Sequence, residues 1–347
     1  MGCPARGKTG EENIVVHSAK GERYQCQVCG KTFVSRKGTA SYGLRHPAER
    51  FTILVTLIAH GCPLQASVAA YKIDERTVLE WQERAGLHGK QVHEHLALAP
   101  RDLEHVPADE LRIKAQGKAL WLAMAIMART RVWLGGVIAP RRDEHLILRS
   151  LLFCVDGLRS YLAAIRQTFR SPLPGRTGRP RLISWPDIRI GQVVKKYQGK
   201  RVVDLVRRMA QGSPETAHRL LAQSLGGSQL NTAFIERLNA AFRSRLASLA
   251  RRTRALLRNP QTLEPLMSLM GCVYNFCTCH KSWRLPGILG GHKWVLRTPA
   301  IAAGIADHGW TVNELLACRI PPPAWRTPIH RGRRSCAEKS LIARWRS

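Results

Sequence analysis

Three carboxylates in this sequence stand where a pair of metal ions could be bound. Asp109 opens a stretch of alternating residues, Asp156 ends a fully apolar run, and Glu236 lies near the start of a helical pattern. Two ions held by carboxylates from separate elements, one of them bridging, organise in-line attack at a phosphorus atom. Carboxylates with water in the remaining positions suit Mg²⁺ or Mn²⁺ rather than Zn²⁺. Glu110 competes with Asp109 for the first position, although strand alternation directs it to the opposite face of the sheet.

Glu236 belongs to a stretch, Asn231 to Arg258, whose spacing predicts a helix. Its apolar residues fall on one stripe: Phe234, Ile235, Leu238, Phe242, Leu246 and Leu249. Glu236, Asn239 and Arg243 follow at three- and four-residue steps on the opposite side. The last turns are rich in arginine: Arg245, Arg251, Arg252, Arg254 and Arg258. A single carboxylate at the head of an arginine-rich helix is what a metal site beside a nucleic-acid backbone would need. Taken alone, this stretch could also be a solvated amphipathic helix.

Cys26 and Cys29 are predicted to form half of a zinc site. Two cysteines separated by two residues and followed by glycine can place two thiolates on one tetrahedral ion. Cys3 is the available third ligand. The fourth ligand stays open between a residue preceding residue 1, His17 and His46. An unmetallated turn is the alternative interpretation.

The strands that would position the acids are indicated by alternation and by turn residues. Residues 109–114, 120–127 and 132–138 predict a three-stranded meander. Residues 151–155 predict a buried strand that ends at Asp156, at the carboxyl edge of a sheet, where α/β proteins bind ligands. The further predictions are helices over 144–150, 158–169 and 267–280, a strand over 188–197 and a helix over 202–209.

Residues 48–86 predict three short helices arranged as a helix-turn-helix. Asp74 is a suitable N-cap for the third helix. Arg76 and Thr77 stand where a recognition helix meets base edges or phosphates. This segment is therefore expected to read DNA. Three histidines beyond it fit no common metal-binding helix and are interpreted as surface residues of a linker helix: His88, His93 and His95.

Residues 170–186 are rich in proline, glycine and arginine and predict a flexible basic connector. Within it, Gly178-Arg179-Pro180-Arg181 resembles the core of an AT-hook. In that element, an arginine pair lies in a narrow minor groove. Arg179 and Arg181 are therefore candidate DNA contacts.

The composition limits the partners of the chain. Its 347 residues suffice for a sizeable core. Lys and Arg number 55 against 24 Asp and Glu, a formal charge of +31. This excess favours a polyanion, because each neutralised phosphate releases counterions. The longest apolar run, 119–128, is about half of a membrane span, and the first residues lack an apolar signal core. We therefore expect a cytoplasmic, nucleoid-associated protein without membrane contact.

Four segments together resemble the successive motifs of DDE transposases of bacterial insertion sequences, most closely the insertion-sequence-one-like group. They are Cys-Gln-Val-Cys-Gly-Lys-Thr-Phe (26–33), Ala-Asp-Glu-Leu (108–111), Cys-Val-Asp-Gly-Leu (154–158) and Asn-Thr-Ala-Phe-Ile-Glu-Arg-Leu-Asn (231–239). The resemblance spans residues 1–300, and its last motif is the most specific. The incomplete zinc half and the C-terminal tail depart from the family pattern.

The resemblance implies a multi-domain fold. A zinc-ribbon-like segment (1–46) and an all-α helix-turn-helix domain (47–100) would precede an α/β RNase H-like catalytic domain. This catalytic domain would span 107–285, with the connector at 170–186. A basic C-terminal extension (286–347) would follow.

The resemblance also implies roles for individual residues. Asp109, Asp156 and Glu236 would hold Mg²⁺ or Mn²⁺, while Cys3, Cys26 and Cys29 would hold Zn²⁺. Asn239 and Arg243 would position the scissile phosphate or hold Glu236. The downstream arginines, Arg251, Arg252 and Arg254, would track the DNA backbone.

Family members cut DNA at terminal inverted repeats and join the freed 3′ ends to target DNA. Double-stranded DNA is therefore the expected partner, and a homo-oligomer is the expected form in the synaptic complex. Two alternatives remain open. One is a non-catalytic zinc and helix-turn-helix DNA-binding protein, or a decayed transposase copy. The other is a metal-dependent nuclease.

Overall fold

The computed structural model describes residues 3–8, 10, 12–98, 105–115, 118–139, 152–157, 159–168, 170–172, 182–184, 188–224, 227–250, 257, 259–287, 293–321 and 335–344. The protein is a mixed α/β structure in two compact units. One unit comprises residues 46–316, and the other comprises residues 1–45 with 317–347. Within the described ranges, no helix combines the length and the apolar character that crossing a membrane requires.

The strands, in chain order, are β1 (Ile14–Ser18), β2 (Arg23–Cys26), β3 (Thr32–Val34), β4 (His105–Ala115), β5 (Lys118–Ile126), β6 (Trp133–Ala139), β7 (Leu152–Asp156), β8 (Arg170–Pro172), β9 (Leu182–Ser184), β10 (Arg189–Gln198), β11 (Arg201–Gln211), β12 (His280–Pro286) and β13 (Trp294–Arg297). The helices are α1 (Ala48–Ala59), α2 (Leu64–Tyr71), α3 (Glu75–Leu96), α4 (Arg159–Thr168), α5 (Pro214–Gln223), α6 (Ala233–Arg245), α7 (Leu263–Cys272), α8 (Pro299–Ala302), α9 (Val312–Ala317) and α10 (Cys336–Ala343). A π-helix over Val273–Cys277 continues α7.

A six-stranded mixed sheet in the order β11-β10-β7-β4-β5-β6 organises the larger unit. Strands β4, β7 and β10 run parallel to one another. Strands β4, β5 and β6 form the predicted antiparallel meander, and β11 pairs antiparallel with β10. The apolar β7 lies in the interior of the sheet, and its residues Leu152 to Val155 are buried, as a strand covered on both faces requires.

Two layers of helices cover the two faces of the sheet. On one face, Leu111 and Ile113 of β4 share a core cluster with residues of α6 and α7. On the opposite face, Val106 and Ala108 share a cluster with Tyr161 of α4. The alternation of side chains along β4 therefore assigns Asp109 to the face that α6 covers.

Helices α1, α2 and α3 begin at the predicted positions, and the Asp74 side chain caps α3 by accepting a hydrogen bond from the backbone N–H of Arg76 at 2.9 Å. Helix α3 continues to Leu96 and packs along α7, where the Cys272 thiol donates to the Gly89 carbonyl. Helices α1–α3 and the sheet are thus parts of one compact unit.

The surface positions predicted for His88 and His93 are wrong, because one side of the far half of α3 is buried. The His88 imidazole is hydrogen-bonded to the Leu315 carbonyl at 3.2 Å and the His93 imidazole to the Leu134 carbonyl at 3.1 Å. Burial lowers the pKa of His93 to about 4. Only His95 of the three is exposed.

Four other predicted elements differ from the structure. Residues 201–211 form a strand rather than a helix, since a turn at Gly199 (φ +62°) returns them to β10. Strand β4 begins at His105, four residues before Asp109. Helix α6 ends at Arg245, because Leu246 is extended. The two ends of the predicted connector pair as β8 and β9. The helix predicted over 144–150 lies outside the described residues.

Two glycines of α3 test its packing against α7. A Cβ at Gly86 would lie 2.2 Å from the Pro265 carbonyl oxygen, whereas a Cβ at Gly89 meets nothing closer than 3.5 Å. We expect Gly86→Ala to lower the free energy of unfolding by about 1–3 kcal/mol, despite a gain of about 1 kcal/mol in helix propensity. Gly89→Ala is the matched control and should be neutral or stabilising. Urea unfolding measures both, and equal values for the two variants would contradict this packing.

Candidate functional site

Asp109 and Asp156 lie at the same level on neighbouring parallel strands. Strand β4 pairs with β7 in a register that places Pro107 opposite Cys154, and each acid lies two residues beyond that pair. Residues in register on parallel strands point to the same face. The sheet therefore presents both carboxylates to the layer of α6. Glu110 lies two residues after Ala108 and therefore points to the same face of the sheet as Ala108, which is the face opposite to Asp109.

Helix α6 brings the third acid and an amide to this face. Its residues Ile235, Leu238 and Phe242 are buried in the core, which fixes the rotation of the helix. In this orientation the Asn239 amide donates to Asp109 Oδ2 at 2.8 Å. Asn239 is only 1% exposed, and its contact is with Asp109 on the sheet.

Glu236 is held at the start of α6 by two groups. The Thr232 hydroxyl donates to Glu236 Oε1 at 2.8 Å, and the Lys195 ammonium donates to the same oxygen. Thr232 is buried, while the Glu236 side chain is 46% exposed. Glu236 is thus oriented by a hydroxyl at the N-cap of its helix and by a cation on β10.

The charges of the three acids act on one another. Burial raises the pKa of Asp109, and the negative charges of Asp156 and Glu236 raise it further, while the Lys195 ammonium opposes them. The pKa of Lys195 is raised in turn, chiefly by its hydrogen bond to Glu236. The arrangement therefore concentrates negative charge that a cation would stabilise.

The oxygens of the three carboxylates do not all lie within 4.8 Å of one another. Within the described part of the chain, the only group of three or more His, Cys, Asp or Glu residues whose ligand atoms do so is formed by cysteines. Two ions about 3.5–4 Å apart require ligands spread over two coordination spheres. The carboxylate oxygens and the buried Asn239 Oδ1, which has no hydrogen-bond partner among the described residues, fit hard cations such as Mg²⁺.

Strand β10 contributes one residue to this face that sequence reasoning missed. Lys195 lies two positions after Val193, the register partner of Asp156. Gln192 has the opposite parity; its amide donates to the Asp156 backbone carbonyl at 3.5 Å, and its oxygen accepts from Arg208 at 3.0 Å. The predicted strand over 188–197 could have indicated Lys195, because a parallel strand next to β7 places side chains beside Asp156.

The other predicted DNA contacts have separate positions. Arg243 is half-buried on α6, one turn after Asn239. Arg76 is exposed and Thr77 half-buried at the start of α3. Five predicted contacts lie outside the described residues: Arg179, Arg181, Arg251, Arg252 and Arg254.

The smaller unit contains the cysteine cluster. Cys3, Cys26 and Cys29 lie close enough to bind one metal ion, and the Sγ atoms of Cys3 and Cys26 are 3.7 Å apart. Tetrahedral zinc with Zn–S bonds of about 2.3 Å separates its sulfur ligands by about 3.8 Å, so this spacing fits. Neither His17 nor His46 joins the group.

The turn between the two clustered cysteines prepares Cys26 as a ligand. Gly30 adopts a positive φ of 68°, and its N–H donates to the Cys26 carbonyl at 2.8 Å. Burial alone would raise the pKa of Cys26, but hydrogen bonds from the backbone N–H groups of Cys29 and Val28 lower it below the usual value. The tight turn thus favours the thiolate form, which is the form that binds metal.

Comparison with known proteins yields no match to this chain, either among protein-family models or among curated proteins. The geometry of the acids and of the thiols therefore carries the functional argument.

The raised pKa of Asp109 predicts how the metal-free protein responds to pH. An unfolded aspartate titrates near pH 3.9, so the folded state binds this proton more tightly. Protonated Asp109 therefore contributes to stability at low pH. This contribution is lost as the pH rises from about 4 through the raised pKa of the folded state, because the carboxylate then becomes charged. We expect Asp109→Asn to raise the thermal midpoint at pH 7 in EDTA, and to change it little near pH 3.

Asp204→Asn is the control for this experiment. A hydrogen bond from Lys196 lowers the pKa of Asp204, so its removal should leave stability at pH 7 unchanged or reduced. Destabilisation by Asp109→Asn at pH 7 would contradict the repulsion between the acids.

Proposed function

We propose that the protein is a DDE-type transposase, an enzyme that cleaves DNA and transfers the cut strand at the ends of an insertion sequence. One observation carries the proposal. Asp109, Asp156 and Glu236 come from two parallel strands and one covering helix, on one face of the sheet, where the charges of Asp156 and Glu236 act on Asp109. This is the arrangement that metal-assisted attack at phosphorus requires.

The sheet supports an RNase H-like catalytic domain. Strands β4, β5 and β6 form an antiparallel meander. On the other side of β4, the sheet continues with β7 and then β10, which both run parallel to β4. The resemblance in sequence implies this same fold, with its first acid on the first strand and its second acid on the next parallel strand. Strand β11 is an additional edge strand.

Asp109, Asp156 and Glu236 would hold Mg²⁺ or Mn²⁺ in this enzyme. The bound ions would activate water or a 3′-hydroxyl and stabilise the leaving oxygen. Asn239 fixes the carboxylate of Asp109 through its 2.8 Å hydrogen bond. Thr232 orients Glu236, and Lys195 neutralises part of its charge. These contacts hold the acids in place before DNA binds, which reduces the cost of organising the reaction.

DNA recognition is assigned to other parts of the chain. Helices α1–α3 would act as a helix-turn-helix, with Arg76 and Thr77 at the start of the recognition helix. The three cysteines would hold zinc and stabilise the small β1–β3 sheet, since structural zinc contributes directly to folding. The net charge of +31 supports a DNA partner.

Two alternatives predict different products. A metal-dependent nuclease would use only water, and would therefore cleave DNA without joining it. A non-catalytic DNA-binding protein, or a decayed copy, would bind DNA without cleaving it. Asp109 favours a catalytic site over a purely structural one, because it is a carboxylate held by an amide and placed beside two further acids.

The decisive experiment measures cleavage and joining of short duplexes that carry the terminal repeats flanking the coding sequence, with Mg²⁺ or Mn²⁺. We expect metal-dependent joining by the wild type. Glu236→Gln and Asp156→Asn should reduce it by more than about 100-fold, since even outer partners of metal ligands cost 10–100-fold. Neither substitution should weaken DNA binding.

Glu215→Gln, at an exposed glutamate in the first turn of α5, is the matched control and should join DNA at the wild-type rate. Cleavage without joining would indicate the nuclease. Binding without cleavage in every variant would indicate the DNA-binding protein.

The zinc assignment has a separate test. Cys26→Ser and Cys29→Ser should each abolish binding of one zinc ion per chain, because two thiolates are too few for a structural site. Cys318→Ser removes a half-buried thiol outside the cluster and should retain the ion. Elemental analysis of the purified proteins measures the zinc content, and full zinc in Cys26→Ser would refute the assignment.

A further inference from the structure

A group of cationic and aromatic side chains lies beside α6, away from its buried stripe. Phe234, Arg237 and Arg245 recur on one side of this helix at three-residue and eight-residue steps. Residues from three other segments surround this side: Arg131 from the turn between β5 and β6, Tyr274 from the π-helix, and His280 and Trp283 from β12. We call Arg131, Arg237, Arg245, His280 and Trp283 the arginine cluster.

Aromatic rings hold Arg131 in place. Its guanidinium carbon lies 3.3 Å from the centroid of the Phe234 ring and 5.7 Å from that of Trp283. The Arg131 backbone is left-handed, with φ +62°, a conformation that is rare for residues other than glycine. The His280 ring packs edge-on against Tyr274 at 4.8 Å. The turn and the rings thus direct Arg131 towards α6.

Three polar atoms in this cluster are buried without a hydrogen-bond partner in the described part of the chain. They are Arg131 Nη1, His280 Nε2 and Trp283 Nε1. Guanidinium and indole nitrogens only donate, so an acceptor is the missing group. Buried polar groups are nearly always satisfied in folded proteins, and two unsatisfied donors beside an unpartnered imidazole nitrogen indicate a ligand.

The charge of the cluster indicates the sign of that ligand. Burial, followed by the positive charge of Arg237, lowers the pKa of Arg131 to about 10. Burial, followed by the charges of Arg131, Arg245 and Arg237, lowers the pKa of His280. Among the described groups whose charges act on these two residues or on Arg245, there is no carboxylate. An anion would supply both the missing acceptors and the missing negative charge.

We propose that the arginine cluster binds a backbone phosphate of the DNA strand on which the three acids act. Guanidinium groups match the oxygen geometry of phosphate, and aromatic rings beside them suit the sugar and base of a nucleotide. Arg237 follows Glu236 directly in α6, so the bound phosphate would lie near the scissile one. The identity of the anion as DNA rests on the proposed function, whereas the anion site itself does not.

The first test measures duplex binding in EDTA, where catalysis is absent. Each phosphate contact contributes about 0.9 to the slope of log K against log salt. We expect Arg237→Gln and Arg245→Gln each to reduce this slope by about 1. Arg219→Gln, at an exposed arginine on α5, is the matched control and should leave it unchanged. Wild-type slopes in both cluster variants would overturn the proposal.

The second test uses the wild-type protein and therefore needs no variant to fold. The ring signals of His280 are followed by NMR across pH, with the His280→Gln spectrum as assignment. A phosphate beside His280 should raise its pKa when the duplex is added. An unchanged pKa with duplex would overturn the proposal. A rise with millimolar inorganic phosphate but not with duplex would indicate a free anion and would overturn the assignment to DNA.

These measurements separate this inference from the proposed function. A protein that cleaves no DNA can still show both effects, because neither experiment contains a catalytic metal ion. Conversely, Arg237→Gln and Arg245→Gln could both keep the wild-type slope of log K against log salt while the protein still joins DNA. In that case the phosphate site would be refuted and the catalytic assignment would stand.

Discussion

The structure depends on how α6 packs against the sheet. The burial of Ile235, Leu238 and Phe242 fixes the rotation of this helix, and each residue of an α-helix advances by about 100°. A rotation by one residue would remove the Asn239 amide from Asp109 and turn Glu236 away from Lys195. The apolar core thus determines the geometry of the polar site, to which the sheet contributes two acids at one level.

The same packing compensates for an unfavourable feature. Asp109 is partly buried beside Asp156 and Glu236, and all three effects disfavour its charged form. Such a group reduces the stability of the metal-free protein, and the surrounding core must offset this cost. A cation reverses the balance, because it turns mutual repulsion into shared attraction. Raised carboxylate pKa values of this kind cluster at functional sites and also occur in structural ion-pair networks.

Much of this arrangement could be predicted from the sequence, because it depends on local patterns. The meander, the apolar β7 ending at Asp156, and the starts of α1 to α3 follow from alternation, turn residues and capping. The burial of His88 and His93 could not be predicted, since their partners lie on α9 and β6, which are remote in sequence. The role of Lys195 was missed for the same reason: its contact with Glu236 spans two elements. Residues 202–209 were predicted as a helix, because the pairing that makes them a strand depends on the turn at Gly199 and on β10.

Helix α6 separates two opposite electrostatic environments over a few residues. Glu236 belongs to the group of acids, whereas Arg237 and Arg245 belong to a group of cations that lies beside Tyr274. A helical period of 3.6 residues makes this separation possible, because successive side chains leave the axis in different directions. Under the proposed function, DNA would have to be attracted to a site whose acids are themselves anionic. Cations on the adjacent side of the same helix would supply this attraction, and the helix would set their distance from the acids.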